Sequence, residues 1–346
     1  MNKRLGIATS LLVLISFSSK ANIDFKLEII PNPYQAPKGT YAKLVNGDGS
    51  NLVLYGTKKD FNNKEVPMAF HWNEQDGHTH LGLLNNRKVL RAMDISDDGN
   101  VVVGHNGGES FVWTKRDKMR VIPKLKRHYV NAAISISADG KTVVGYTGWG
   151  DDTSAYRWEI GKNVKEIGTG KDKVQWRSAT FSSEDASVIV GTALGDVYVW
   201  KNDNSITPIK DPKGCSFIPE DVSHNGKIIG GRCSIDKPIV WHESTGFKAL
   251  PVPAGAESTM IKAMSGDGTR FLGSAKYIVD EKYQYRPILW HQNNIYFLDD
   301  IVKELKPSQT IKTVIITNIS SNGKVIAGGY KDSIDTYTPF KLMIQG

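Results

Sequence analysis

The chain repeats itself seven times, and no other feature restricts its fold as strongly. The segment "AMDISDDGNVVVG" from Ala92 returns as "AISISADGKTVVG" from Ala133, "ATFSSEDASVIVG" from Ala179 and "PEDVSHNGKIIGG" from Pro219. It recurs as "IKAMSGDGTRFLG" from Ile261 and "ITNISSNGKVIAGG" from Ile316, with a looser copy, "AKLVNGDGSNLVLYG", from Ala42. After a variable loop, six copies continue into an aromatic or apolar pair ending on Trp72, Trp113, Trp158, Trp200, Trp241 or Trp290, and the last has Leu342 in that place. A polar turn and one more short strand pattern follow, as in "MRVIPKL" and "FKALPVP", so the unit is four strands in about 45 residues.

The Asp-Gly or Asn-Gly between the first two strands predicts a tight hairpin, because both residues accept positive φ at little cost. Ser96, Ser137, Ser183, Ser223, Ser265 and Ser320 stand just before that turn, where a hydroxyl can bond the turn backbone. Period-2 patterning sends Phe111 and Trp113 to one face, against the adjacent unit, which makes the tryptophans core residues. A four-stranded unit cannot bury both of its faces alone, so the units must stack. The pattern predicts an all-β, seven-bladed β-propeller of four-stranded blades. The last copy ends without a fourth strand, whereas "FKLEIIP", Phe25 to Pro31, has no first three strands before it. That N-terminal strand is expected to complete the last blade and cover its open edge.

These copies resemble the HAF family of extracellular repeat proteins, whose repeat reads as a Ser-x-Asp-Gly-x-x-x-x-Gly segment followed by an aromatic-x-Trp strand. The resemblance spans all seven copies. It implies export and a propeller-like fold, and it brings no catalytic residues with it.

Residues 1–21 read as a signal peptide: Lys3 and Arg4, the short apolar run "LGIATSLLVLISF", and small residues Ser19 and Ala21 at the cleavage site. The expected mature chain, residues 22–346, is one propeller domain with no further segment long and apolar enough to enter a membrane. The reading is therefore an exported monomer, periplasmic or extracellular. The formal charge is +8. Lys3, Arg4 and Lys20 leave with the leader, so about +5 remains, a mild preference for anionic partners and too diffuse to call for nucleic acid. The two cysteines, Cys215 and Cys233, flank a hairpin turning at Asn225-Gly226, and an oxidising compartment predicts a disulfide between them.

Motifs for chemistry are scarce. The Ser-x-Asp-Gly segments do not fit sialidase Asp boxes, and the tryptophans do not end WD40-type Trp-Asp strands. No nucleophile elbow, His-Glu-x-x-His, P-loop or Ca²⁺-loop occurs. His78 and His80 would share one face of a strand, but no third metal ligand accompanies them in the sequence. No catalytic residue, metal or cofactor is assigned.

Propellers present variable loops at one face, here between second and third strands and between consecutive blades. Those loops carry Tyr146, Trp149, Tyr277, Tyr283, Tyr285 and Tyr337 alongside Lys124, Arg127, Trp176 and Arg177, a mixture of aromatics and cations suited to a protein or glycan. The first reading is thus a non-enzymatic binding module. The alternative is a hydrolase or lyase acting on polysaccharide or peptide at the central channel, with Asp94, Thr180 and Asp221 on innermost strands as candidates. Two or more carboxylates of shifted pKa around one mouth would favour it.

Overall fold

The computed structural model describes residues 23–345 apart from 37, 85–89, 126–129, 149–152, 168–177, 194–195, 203–204, 211–214 and 234–236; the expected leader lies outside the described residues. Strand β1 (Asp24–Ile29) precedes six blades built from consecutive strands. Blade 1 is β2 (Thr40–Val45), β3 (Asn51–Lys59), β4 (Glu65–Asn73) and β5 (Gly77–His80). Blade 2 is β6 (Arg91–Ile95), β7 (Val101–His105), β8 (Ser110–Thr114) and β9 (Lys118–Val121). Blade 3 is β10 (Asn131–Ile136), β11 (Thr142–Thr147), β12 (Ser154–Glu159) and β13 (Lys165–Glu166). Blade 4 is β14 (Ser178–Ser182), β15 (Val188–Ala193), β16 (Asp196–Lys201) and β17 (Ile206–Ile209). Blade 5 is β18 (Phe217–Val222), β19 (Ile228–Cys233), β20 (Pro238–His242) and β21 (Gly246–Ala249). Blade 6 is β22 (Ser258–Met264), β23 (Arg270–Val279), β24 (Lys282–His291) and β25 (Asn294–Phe297). Helix α1 (Leu298–Leu305) leads to blade 7, made of β26 (Ile311–Ile319), β27 (Val325–Asp332), β28 (Tyr337–Gln345) and β1.

The chain is a seven-bladed β-propeller of four-stranded antiparallel blades, closed as the sequence predicts. Strand β1 pairs antiparallel with β28 from Asp24↔Gln345 to Ile29↔Phe340, and the Ile30 amide then donates to the Pro339 carbonyl. Alternation does what the pattern requires. Val102, Phe111 and Trp113 face a cluster with Leu44, Val53 and Ala69 of blade 1, whereas Val103 and Val112 face Ala133, Val143, Tyr156 and Trp158 of blade 3. Trp72, Trp113, Trp158, Trp200 and Trp290 are buried, as is Leu342 in the equivalent place, and Trp241 is partly buried.

The first hairpin turn differs from expectation in one respect. At Asp98-Gly99 only the glycine has positive φ, 74°, and the Gly99 amide donates to the Ser96 carbonyl. Ser96 closes the rest: its hydroxyl donates to Asp98 Oδ1 at 2.6 Å and accepts the Val101 amide at 3.0 Å. That hydroxyl replaces the Ser96 carbonyl, which is already engaged, as acceptor for the strand. Ser137, Ser183, Ser223, Ser265 and Ser320 repeat the arrangement, and Asn46 substitutes for serine in blade 1.

A second difference is α1. The stretch "NIYFLDD" reads as a strand, but pairing stops at Phe297 and the chain coils. Leu298 and Val302, one helical turn apart, are fully buried beside Leu289 and Val314. Arg286 fixes the helix start by gripping Asp299 through two bonds of 3.0 Å. Cys215 and Cys233 form the expected disulfide, with Cα atoms 5.2 Å apart.

Two outcomes test this packing. Trp113→Ala is expected to cost about 3–5 kcal/mol in urea unfolding. Trp113→Phe should cost clearly less, because the buried Trp113 Nε1 has no hydrogen-bond partner to lose. Replacing both cysteines by alanine should lower the unfolding free energy by about 3 kcal/mol, a loss that reductant reproduces in the unmodified protein.

Candidate functional site

Every innermost strand carries a β-bulge at the same place, and this irregularity builds the channel. The ladder register shifts between Ala42 and Leu44, Ala92 and Asp94, Ala133 and Ser135, Ala179 and Phe181, Pro219 and Asp221, Ile261 and Ala263, and Ile316 and Asn318. The residue skipped in each case takes no part in pairing and turns towards the axis. The seven skipped residues, Lys43, Met93, Ile134, Thr180, Glu220, Lys262 and Thr317, all line one cavity of about 270 Å³.

The first hairpin turns close one end of this cavity with a belt of bonds running from blade to blade. The Asp97 amide donates to the Ala138 carbonyl, Ala138 to Glu184, Glu184 to His224, His224 to Gly266 and Gly266 to Ser321. The belt continues through the Asn322 amide to the Gly47 carbonyl, and through Asn46 Nδ2 to the Asp97 carbonyl. A methyl at Gly47 would strike the Asp97 carboxylate, which accepts the Ser321 hydroxyl at 2.8 Å.

Asp94 and Asp221 stand beside the bulges and bind across blades. Asp94 accepts the Ile95 amide and, from blade 3, the Ile136 amide and Ser135 hydroxyl, all within 2.9 Å. Asp221 accepts the Val222 amide and, from blade 6, the Met264 amide at 2.7 Å. Burial outweighs these bonds and pushes Asp94 up to about 6 and Asp221 up to about 7, with Asp97 adding to the rise at Asp94, and Asp94 and Glu220 adding to it at Asp221. Glu220, also raised by burial, is held by Arg232 at 3.2 Å, and Glu184 pairs with His224 at 3.1 Å. Lys43 and Lys262 are both lowered, chiefly by burial.

The loop face lies at the other axial end, since turns between first and second strands and turns between second and third strands occupy opposite ends of a blade. Here β23 and β24 project as a long hairpin, its tip at Asp280-Glu281 in left-handed conformation. Lys276 opposes Tyr285 and Ile278 opposes Tyr283, which puts these four side chains on one face. Tyr283 is 65% exposed and Tyr285 58%, and Lys276 Nζ sits 4.0 Å from the Tyr283 ring centre. Tyr277 lies on the opposite face of the same hairpin and is partly buried.

The other described loop-face candidates, Tyr337, Tyr146 and Lys124, belong to other parts of the ring. Tyr337, on β28, packs against Tyr41 with ring centres 6.0 Å apart. Tyr146 is half-buried in blade 3, and Lys124, after blade 2, lies 3.8 Å from Glu109. Trp149, Trp176, Arg177 and Arg127 lie outside the described residues. Asp94, Thr180 and Asp221 do line the channel together. Lys43, Lys262, Glu220, Met93, Ile134 and Thr317 were not legible as channel residues, because a bulge interrupts the alternation used to find faces. The aligned repeats hold a usable signal: the position three before each turn Ser or Asn46 is occupied by these residues and Thr180. His78 and His80 share a face as expected, both against Phe70, but His78 is bonded to the Pro31 carbonyl at 2.8 Å. Among the described residues, no group of three or more His, Cys, Asp or Glu is placed to hold a metal.

The raised carboxyls set a stability profile. Between pH 4 and pH 7 the unfolded chain releases protons that Asp94 and Asp221 retain in the fold, so stability is full below the unfolded value of 3.8 and falls as pH rises through about 6 and about 7. Urea unfolding at stepped pH should show this fall, and Asp221→Asn should flatten it, the slope rather than the absolute stability being the readout.

No protein-family model and no characterised protein sequence matches the chain. Its fold is similar to that of virginiamycin B lyase from Staphylococcus aureus, at 14% identity over 93% of this chain and 100% of that one, with a TM-score of 0.53. Oligogalacturonate lyase from Vibrio parahaemolyticus aligns at 12% identity over 93% and 97% of the two chains, with a TM-score of 0.60. The Swd1 β-propeller domain of Myceliophteria thermophila aligns at 8% identity over 91% and 99%, with a TM-score of 0.54. Two lyases and a domain of different kind share this architecture, so the likeness extends to the propeller fold and no further.

Proposed function

We propose that this chain is an exported, non-enzymatic propeller of HAF-like repeats that binds a protein or glycan through its loop face. The observation that carries this reading is the β23–β24 hairpin, which holds Tyr283, Tyr285 and Ile278 in solvent on one side, with the Lys276 ammonium over the Tyr283 ring. Rigid aromatic side chains on a paired strand lose little entropy on contact, which suits them to stacking on a sugar ring or an apolar protein patch. The disulfide supports an oxidising compartment, and the mild positive charge supports an anionic partner.

A second reading, a hydrolase or lyase acting on polysaccharide or peptide in the channel, draws on the raised pKa values of Asp94 and Asp221 and on the two lyases of similar fold. Against it, both oxygens of each carboxylate are occupied, one by the amide of the next residue and the other by an amide of the neighbouring blade. A group so engaged serves the fold before it serves a substrate.

The test is binding of residues 22–346 to a glycan array and to cell-surface proteins, alongside a Tyr283→Ala/Tyr285→Ala variant. Saturable binding weakened at least about tenfold in a variant with an unchanged melting curve is the expected result. Unchanged binding in that variant removes the hairpin from the site. Turnover of a polysaccharide or peptide that disappears in Asp221→Asn would establish the channel reading instead.

A further inference from the structure

The channel holds two charges that the fold does not use. Of the acids lining the cavity, Asp94 and Asp221 bind backbone amides, Glu220 binds Arg232, Glu184 pairs with His224, and Asp97 accepts the Ser321 hydroxyl. Lys43 and Lys262 make no hydrogen bond or ion pair with any described residue. They belong to the same bulge column, in blades 1 and 6, and blade 7 between them contributes Thr317. The Thr317 hydroxyl is already committed to the carbonyls of Ala42 and Ala327, at 2.6 and 3.2 Å. Beside it, Asn318 also lines the cavity, its side-chain amide without a described hydrogen-bond partner.

Two ammonium groups with no hydrogen-bond or ion-pair partner on one arc of a cavity, Lys43 half-buried and Lys262 open to the channel, repel each other, and an anion between them relieves that repulsion. The lowered pKa of Lys262, to which Lys43 contributes after burial and against the opposing pull of Glu220, agrees with that repulsion. Blades 2 and 3 follow Lys43 around the ring and contribute the uncharged Met93 and Ile134 at the same position, while the neighbouring Asp94 is bonded to the Ile95 and Ile136 amides and the Ser135 hydroxyl. The cavity's volume of about 270 Å³ exceeds what one inorganic ion fills. We infer that the central channel is a binding site for a small organic anion, its charged head held by Lys43 and Lys262 and its uncharged body lying against Met93 and Ile134.

Isothermal titration at constant ionic strength with three probes tests this: inorganic phosphate, phenyl phosphate and phenylacetate. The expected result is saturable binding of at least one aromatic anion, weakened about tenfold in Lys43→Gln or Lys262→Gln and lost in the double variant. Which aromatic anion binds identifies the head as phosphate or carboxylate. The exposed Lys324→Gln and the loop-face Tyr283→Ala/Tyr285→Ala variants should bind as the unmodified protein does. The double variant should melt no lower than the unmodified protein, since it loses two unpartnered charges. Binding of none of the three probes, or binding that survives in a folded double variant, overturns the inference. Inorganic phosphate bound as tightly as phenyl phosphate overturns the place given to Met93 and Ile134.

Discussion

The pairing of β1 with β28 is the constraint on which the rest of the molecule depends. A propeller blade buries its faces only against neighbours, so a row of seven leaves two faces bare unless the last meets the first. In this chain the meeting is covalently assisted: the strand that finishes blade 7 runs directly into blade 1. Ile30, Ala36, Leu52, Leu54, Val325 and Ala327 then form one apolar cluster across that seam, equivalent to the clusters between other blades. Closure also creates the channel. Lys43, Thr317 and Lys262 come from distant parts of the sequence and share one arc only because the ring is shut.

Most of the fold was legible in the sequence because each blade is specified by local signals that recur. The turn serine or Asn46, the positive-φ glycine or Ala186 after it and the inward tryptophan or Leu342 each impose a geometry within a few residues, and seven repetitions make the pattern unmistakable. Even closure could be read, from a missing strand at one end and a surplus strand at the other. What escaped were departures from strict alternation. Helix α1 escaped because Ile295 to Phe297 alternates like a strand before Leu298 and Val302 take up helical spacing. The channel column escaped for a related reason. One extra residue per inner strand changes which side chains face the axis, and only Thr180 of that column was picked out, together with its neighbours Asp94 and Asp221.

The two ends of the propeller axis differ in kind. At one end, backbone amides and carbonyls of the first turns hold each other in a belt, and the carboxylates above them brace adjacent blades. That end is rigid by construction. At the other end, hairpins project beyond the sheets, and the longest presents apolar side chains directly to water. Variation at the second end leaves the belt untouched, which lets loop sequences diverge while the ring keeps its shape.

The bulges have a consequence of their own. A residue excluded from the ladder makes no backbone pair, so its side chain can change without shifting the register. Seven such positions, one per blade, surround a single volume. The axis therefore works as a seven-letter word written inside a fixed frame, here Lys, Met, Ile, Thr, Glu, Lys and Thr. Rewriting a letter that bonds nothing in the fold, such as Met93 or Ile134, alters what the interior attracts while the frame still stands.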